Sequence, residues 1–461
     1  MIKIGLECHL YLNKVNTKLF CGCRLPNDTD KPNSVCCVTC LGYPGSKPVL
    51  NKAVLNHAIK LGLAINCKLN KEVIFSRKVY FYPDMSKNYQ ITQYEVPLGY
   101  DGFIQVGGKR IEIKRINIEE DPAALVHPNG IGKSSYVLVD YNRAGMPLCE
   151  IVTSPVIESA EEAREFLKKL IEVVNYLGVY DPDKSTVKVD ANVSTSLTDY
   201  TRVEIKNISG FKEVERALNY EIKRQETEKK VIAETRAWDA EKGITLSLRT
   251  KESEEDYGYI TDPDLVIIEL DNDLINEIKK EIPELAHEKV KRYISGFKLD
   301  KKDAEVIASE YLLAILFEKV VREIDPVLAA RWLRRELLRV LNYNNKELKD
   351  LEIDERHLIE LLNLVENKKI TEENGKRILE KLIERPFNVK EYVQKEGLSV
   401  LSNEETLREI CQDVIKENPK ALEDYKKGEE KALNFLIGKA MAKTKGTADT
   451  KLLKKIMIEL I

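Results

Sequence analysis

The chain has 461 residues, of which 73 are lysine or arginine and 76 are aspartate or glutamate, giving a formal net charge of −3. This length allows two to four domains, and the near-neutral balance excludes a global basic field, so any nucleic-acid surface must be local. No apolar stretch approaches the ~20 residues that span a bilayer, and nothing at the N-terminus resembles a signal peptide, so we expect a cytoplasmic protein without a membrane partner.

Five of the nine cysteines lie close together near the N-terminus, in the pattern C-x-C, twelve residues, C-C-x-x-C. In a cytosolic chain such crowding is more typical of metal ligation than of disulfides, and two close pairs suit a tetrahedral zinc site. We predict a structural Zn²⁺ bound by Cys21, Cys23, Cys37 and Cys40, with Cys36 as the alternative fourth ligand. The competing interpretation is that these cysteines are small buried apolar residues.

Runs of β-branched residues and turn signals predict a mainly antiparallel sheet in the first 285 residues. One hairpin is expected between 103–106 and 111–113, and another around Asn129-Gly130, between 124–126 and 135–139. Further strands are expected at 186–189, 201–206 and 244–248.

A helix interrupts these strands. Ser159 and Glu162 form the sequence pattern of a capping box, and Gly178 is a plausible stop. The apolar residues between them keep helical spacing. We therefore predict an α+β fold, with a large, mainly antiparallel mixed-sheet domain over residues 1–285.

Helical periodicity dominates beyond residue 285, for example at 328–341, 356–366 and 375–382. We predict an all-α domain over 286–401 and a small helical tail domain over 402–461, beginning near Ser402.

The tail is locally basic. Residues 431–461 carry seven lysines and only two acids, Asp449 and Glu459. Lys439, Lys443 and Lys445 are therefore predicted to contact a phosphate backbone, and the alternative is an ordinary solvated helix face.

Acidic residues recur in four specific strings, namely Gly5-Leu6-Glu7-Cys8-His9, Ile118-Glu119-Glu120-Asp121, Asp140-Tyr141-Asn142-Arg143 followed by Glu150, and Val189-Asp190-Ala191-Asn192. A carboxylate-rich cluster with one histidine is what binding a hard divalent cation beside a phosphate requires. A Walker fold is excluded, because His127 stands where a P-loop ending in Gly132-Lys133-Ser134 needs glycine.

These strings resemble the GatB/GatE family, the B subunits of the tRNA-dependent amidotransferases, in its GatB branch. The resemblance extends in order across essentially the whole chain, through Cys40-Leu41-Gly42-Tyr43-Pro44-Gly45, Tyr80-Phe81-Tyr82-Pro83-Asp84 and Gly438-Lys439-Ala440-Met441. It implies a cradle-like catalytic domain with a cysteine cluster, a helical domain, and a YqeY-like tail that binds tRNA.

The resemblance also implies a reaction. The side-chain carboxylate of misacylated Glu-tRNA(Gln) or Asp-tRNA(Asn) would be phosphorylated with ATP and then amidated with ammonia. The ammonia would come from a partner amidase, the A subunit of a heterotrimer that a small C subunit completes. Two alternatives stay open: a GatE-type protein, although no inserted domain is present, and a non-catalytic tRNA-binding scaffold, although the acidic residues are intact.

The family's pattern further implies roles for individual residues. The expected Mg²⁺ ligands are His9, Glu119 and Glu150. Glu7 and Asp190 are expected close by, acting on a second ion or on water, which makes these five residues the expected catalytic set.

Three basic residues are candidates for binding the phosphates of ATP or the terminal adenosine of tRNA through charge-assisted hydrogen bonds, namely Arg77, Lys78 and Lys206. The alternative for each of them is a structural salt bridge.

Overall fold

The computed structural model describes residues 1–128, 134–184, 186–228, 230–250, 257–401 and 403–461. The expected Asn129-Gly130 turn and the expected tail start at Ser402 lie outside the described residues. The chain divides into two compact units, Met1–Leu285 and Ala286–Ile461. The first combines a mainly antiparallel sheet with helices and the second is helical, which confirms the predicted fold class.

The described strands all belong to the first unit. They are β1 (Ile2–Tyr11), β2 (Lys68–Leu69), β3 (Glu72–Val73), β4 (Ser76–Val79), β5 (Tyr89–Thr92), β6 (Gly99–Val106), β7 (Lys109–Glu120), β8 (Ala124–Val126), β9 (Leu138–Asp140), β10 (Pro147–Thr153), β11 (Lys188–Thr195), β12 (Val203–Ser209), β13 (Glu234–Asp239), β14 (Ile244–Thr250), β15 (Gly258–Thr261) and β16 (Ile268–Glu269). Nine of them form one sheet, ordered β14-β13-β12-β11-β1-β10-β7-β6-β2. Its neighbouring strands are antiparallel except for the parallel pair β12–β13. Three smaller sheets are β15-β4-β5, β16-β3 and β8-β9.

The helices of this unit are α1 (Lys52–Ala64), α2 (Ala160–Leu177), α3 (Phe211–Glu228) and α4 (Asn272–Lys280). The predicted helix is confirmed as α2, since the Ser159 hydroxyl accepts a hydrogen bond from the Glu162 amide and Gly178 ends the helix at φ 64°. Helix α2 contacts β6 and α3 contacts β11, so helices cover one face of the nine-stranded sheet.

The two faces of the sheet differ in chemistry along β1. Ile4, Leu6 and Cys8 are at most 1% exposed and point to the covered face. The alternate residues Glu7 and His9 are partly exposed and point to the opposite face. The sheet therefore has an apolar, helix-covered face and a polar face on which ionisable side chains gather.

The strand predictions differ from the structure mainly at their ends. The hairpin expected at 103–113 is confirmed, and its strands β6 and β7 extend further in both directions. The run at 135–139 is strand only from Leu138, because its partner β8 offers only three residues to pair with. The run at 201–206 begins at Val203, where pairing with β11 begins.

The second unit contains the remaining helices, α5 (Ala286–Phe297), α6 (Lys301–Ser309), α7 (Tyr311–Val320), α8 (Pro326–Arg331), α9 (Leu338–Tyr343), α10 (Glu355–Glu366), α11 (Glu372–Glu384), α12 (Val389–Glu396), α13 (Glu404–Glu417), α14 (Pro419–Lys426), α15 (Glu430–Lys443) and α16 (Thr450–Leu460). The helix predicted over 328–341 is continuous but includes a π-helical segment, Trp332–Leu337, between α8 and α9. The last four helices share a hydrophobic cluster of their own, which includes Leu407, Cys411, Leu436 and Ile456. Within the described ranges, no helix is long and apolar enough to cross a membrane.

Candidate active site

A cavity of about 890 Å³ opens on the polar face of the nine-stranded sheet. Charged and ionisable side chains dominate its lining. The acidic ones are Glu7, Asp84, Glu119, Asp121, Glu150 and Asp190, and the others are His9, Lys78, Arg143, Lys188 and Lys206. The five acidic and histidine residues expected from the sequence therefore line one cavity.

Strand register explains why these side chains meet. His9 of β1 lies opposite Glu150 of β10 on one side and Lys188 of β11 on the other. Glu150 in turn lies opposite Asn117 of β7. Directly opposed residues point to the same face of a sheet, so the four side chains form one row, the central row. Three of them, His9, Glu150 and Lys188, line the cavity. Glu7, two residues before His9, shares that face.

Three ligand groups come close enough to share one cation. The ligand atoms of Glu7, His9 and Glu150 lie within 4.8 Å of one another. Glu119 of β7, the strand beyond β10, also comes close, with its Oε1 3.5 Å from His9 Nε2. Buried hydrogen bonds orient two of these carboxylates: Asn117 Nδ2 donates to Glu150 Oε2 at 2.6 Å, and Thr92 Oγ1 donates to Glu119 Oε2 at 3.1 Å.

Burial has the largest effect on the pKa values of these groups, and the crowding of like charges adds to it. Burial, and then repulsion from Glu150, raise the pKa of Glu7. Burial also raises the pKa of Glu119, against the opposing effect of His9. Burial lowers the pKa of His9, but Glu119 and Glu7 outweigh it, so the pKa of His9 is raised. A divalent cation relieves such repulsion by replacing protons on the carboxylates.

The four basic side chains of the cavity differ in how they are paired. Lys206 Nζ lies 3.6 Å from Asp190 and 3.5 Å from Glu204. Burial lowers the pKa of Lys206, but these acids outweigh it and the pKa is raised. Lys78 Nζ lies 4.6 Å from the centre of the Tyr257 ring, an arrangement that favours a cation.

Arg77, the third predicted phosphate-binding residue, is not among the described residues that line the cavity. Its Nε lies 2.9 Å from Asp262 and its Nη2 lies 2.8 Å from Asp264. The Asp262 side chain is fully buried. The described contacts of Arg77 are thus those of a structural ion pair, which was the alternative weighed for it.

The cysteine cluster forms where two turns meet. The sulfur atoms of Cys21, Cys23, Cys37 and Cys40 lie within 4.8 Å of one another. Cys36 Sγ instead donates to the backbone carbonyl of Asn33 at 3.2 Å. The four predicted ligands therefore gather as a tetrathiol that suits Zn²⁺, and Cys36 is outside the group.

Among these cysteines the surroundings favour the thiolate form of Cys40, whereas the pKa values of Cys21 and Cys23 are raised. The pKa of Cys40 is lowered to about 5, first by a hydrogen bond from the Cys21 thiol, against burial, and further by the Cys37 backbone and Lys18. Lys18 is fully buried, and its Nζ lies 3.8 Å from Cys40 Sγ.

The tail lysines lie at the end of α15 and in the turn that follows. Lys439, Lys443 and Lys445 are all exposed. Lys443 Nζ lies 2.7 Å from Glu417, so part of its charge is compensated. No contact in the described residues tests their role in binding a phosphate backbone.

The sequence did not predict two residues of the central row, Asn117 and Lys188, as parts of the site. Each stands two residues before a predicted site residue, Glu119 and Asp190 respectively. The period-two alternation of a strand was the signal that would have placed them on the cavity face.

Comparisons with known proteins agree over nearly the whole chain. The model of the GatB/GatE catalytic domain matches residues 2–276, and a GatB domain model matches residues 315–461. Three relatives are each named as the B subunit of an aspartyl/glutamyl-tRNA(Asn/Gln) amidotransferase. That of Caldanaerobacter subterraneus subsp. tengcongensis is 43% identical over 471 residues, that of Thermotoga maritima 40% over 474, and that of Thermodesulfovibrio yellowstonii 40% over 473. Each alignment covers 99% of this chain and 98% of the relative.

Proposed function

The chain belongs to the GatB/GatE family of tRNA-dependent amidotransferase subunits, and from this premise we propose that it activates the side-chain carboxylate of Glu-tRNA(Gln) or Asp-tRNA(Asn) with ATP. A carboxylate is a poor acyl donor, because its leaving group would be oxide. Phosphorylation gives it a good leaving group, and ammonia then displaces phosphate to form the amide. The product is Gln-tRNA(Gln) or Asn-tRNA(Asn).

One observation carries this proposal: the sheet gathers His9 and several carboxylates in one cavity, and three lysines line the same cavity. Phosphoryl transfer depends mainly on positioning and on neutralising the charge of phosphate oxygens. An acidic cation site with ammonium groups around it supplies both requirements. The binding of a neutral metabolite would need neither.

The donor set of the cavity floor fits Mg²⁺. We propose that His9, Glu119 and Glu150 bind the ion and that Glu7 completes the set, since its carboxylate lies near both His9 and Glu150. Carboxylate oxygens suit a hard cation, and the one imidazole also admits Mn²⁺. When bound, the ion neutralises the charge of the ATP phosphates.

The chain's basic residues then have separate tasks. Lys78 and Lys206 line the cavity and are proposed to bind phosphate oxygens by charge-assisted hydrogen bonds. Asp190 holds the Lys206 ammonium in place from 3.6 Å and is proposed to orient water or a second ion. We propose a structural role for Arg77, through Asp262 and Asp264.

We propose that Cys21, Cys23, Cys37 and Cys40 bind a structural Zn²⁺. A tetrahedral site with four protein ligands leaves no open position for a substrate, so its contribution is to fold the segment between β1 and α1.

The proposed reaction requires a source of ammonia, and therefore partner proteins. We propose that an amidase, the A subunit, supplies ammonia and that a small C subunit completes the heterotrimer in the cytoplasm. We further propose that residues 286–401 and 402–461 are separate helical domains, and that Lys439, Lys443 and Lys445 of the latter contact tRNA phosphates. The GatE and scaffold alternatives are not favoured, because the relatives that match the full length carry the name of the B subunit.

Amidation supported by ammonium chloride tests the proposal without depending on glutamine hydrolysis. The assembled complex is incubated with ATP and Glu-tRNA(Gln), and glutamine on tRNA and ADP are both measured. We expect equal amounts of the two from the wild type and loss of both from Glu119→Gln. Glu165→Gln is the matched control, because Glu165 is exposed on α2. Tight tRNA binding without ADP release from the wild type would contradict the proposal and favour a scaffold.

A further inference from the structure

We propose that Lys188 binds the side-chain carboxylate of the aminoacyl group and thereby selects the acidic substrate over its amide product. This inference rests on the proposed function and assigns the acyl substrate to a definite part of the cavity. Lys188 is not one of the residues that the sequence singled out.

Its position in the sheet places Lys188 beside the proposed metal ligands. It lies directly opposite His9 across β1 and β11, in the row that continues to Glu150. Neighbouring strands are ~4.8 Å apart, so one strand spacing separates Lys188 from His9 and two separate it from Glu150. An anion bound between Lys188 and a cation at His9 and Glu150 would therefore be attracted from both sides.

The contacts of Lys188 leave its charge only partly compensated. Its Nζ lies 3.4 Å from the Tyr11 hydroxyl and 3.9 Å from Asp121 Oδ2. Asp121 already accepts a short hydrogen bond from Tyr11 and lies 3.2 Å from Arg143 Nε. One carboxylate is thus shared among three donors, and Lys188 is the most distant of them.

Two of the other basic groups of the cavity, Lys206 and Arg143, are more fully engaged. Lys206 lies near two carboxylates, Asp190 and Glu204. Arg143 donates to the backbone carbonyls of Pro122 and Ala123 as well as facing Asp121. A partly buried ammonium is stabilised by an anionic partner, and Lys188 has more capacity than Lys206 or Arg143 to bind one from a substrate. Lys78, the fourth basic group, lies over the rings of Tyr80 and Tyr257 and belongs to a different sheet from His9 and Glu150.

The substrate carboxylate is the anion that fits the position between Lys188 and a cation at His9 and Glu150. In the proposed reaction a carboxylate oxygen forms a bond to the γ-phosphorus while the bond from that phosphorus to the β,γ-bridging oxygen breaks. The electron pair leaves with ADP, and no proton transfer is needed. Lys188 holds the carboxylate oxygen that is not attacking, and a neutral amide at the same place would lose this charge-assisted hydrogen bond.

Discrimination between acid and amide is the readout that tests this role. Affinities of the assembled complex for Glu-tRNA(Gln) and Gln-tRNA(Gln) are measured without ATP. A hydrogen bond to a charged group corresponds to roughly 10- to 100-fold in affinity. We expect the wild type to prefer Glu-tRNA(Gln) by about this factor, Lys188→Met to bind both equally, and Lys188→Arg to keep most of the preference. Lys184→Met is the control, because Lys184 is 57% exposed and pairs with Asp181.

Amidation by the same variants separates the possible failures. A wild type that forms no amide refutes the proposed function itself. An active wild type, together with a Lys188→Met variant that keeps its preference for Glu-tRNA(Gln), overturns only the assignment of Lys188. If Lys188→Met does not fold, as judged by thermal unfolding, Lys188→Gln replaces it, because the amide keeps a hydrogen bond to Tyr11 but removes the charge. Unchanged discrimination in that variant would equally overturn the assignment.

Discussion

Replacing Cys37 with serine should release zinc from the cysteine cluster, whereas replacing its neighbour Cys36 should not. The two residues are adjacent in sequence, but only Cys37 has its sulfur within 4.8 Å of the other three proposed ligands. Cys36 Sγ bonds to the Asn33 carbonyl instead. Cys36→Ser is therefore a control matched in chemistry and in place.

The expected magnitude follows from the four-ligand geometry. Structural zinc sites bind with about 10–16 kcal/mol, so one of four equivalent thiolates accounts for roughly 3 kcal/mol. Losing that much raises the dissociation constant of zinc roughly a hundredfold. Because binding of the metal is coupled to folding, the first unit should also unfold at a lower temperature.

The assay is zinc content per protein after titration with a chromogenic chelator, with thermal unfolding measured in parallel. Cys37→Ser should lose zinc at a chelator concentration at which the wild type and Cys36→Ser retain one equivalent. Equal retention by both variants, or greater loss from Cys36→Ser, would refute the ligand assignment.

Three further predictions concern other parts of the chain. Arg77→Ala should lower the free energy of unfolding by about 3 kcal/mol, measured with denaturant, because it leaves the buried Asp262 carboxylate unpaired; an equally stable variant would contradict the structural role. Leu436→Ala should destabilise the tail helices by about 3 kcal/mol, since Leu436 is fully buried, while Phe435→Ala, at 49% exposure, should not. Hydrogen exchange of the backbone amides across 403–461 measures this difference, and equal protection in both variants would contradict the prediction. In zinc-free protein, the rate of Cys40 alkylation should be independent of pH down to about pH 5 and then fall about tenfold per pH unit, since its pKa is lowered to about 5; a midpoint near pH 9 would contradict this.

Local sequence signals were sufficient to predict those elements whose ends are determined by their own residues. Helix α2 begins and ends where Ser159 and Gly178 indicate, because a side-chain cap and a left-handed glycine act on the adjacent backbone alone. The cysteine spacing likewise favoured the four sulfur atoms that meet, but it left Cys36 open as the alternative fourth ligand.

Features that depend on residues far away along the chain could not be predicted from the sequence. The strand at Leu138 begins late because its length depends on β8, and the π-helical segment Trp332–Leu337 interrupts a regular apolar pattern. The pairing of Lys188 with His9 could not be predicted for the same reason, since alternation along β11 gives the face of Lys188 but not the residue of β1 that lies opposite it. The sequence resemblance supplied the acidic residues, and strand register supplied their neighbours.

Transfer of an oxygen isotope from the substrate to phosphate tests the proposed chemistry most directly. The assembled complex would be given ATP, ammonium chloride and Glu-tRNA(Gln) labelled with ¹⁸O in the side-chain carboxylate, and the released phosphate would be analysed by mass spectrometry. If the carboxylate is phosphorylated, ammonia displaces phosphate that carries one ¹⁸O atom for each amide formed. Amide formation with unlabelled phosphate would contradict activation through an acyl phosphate.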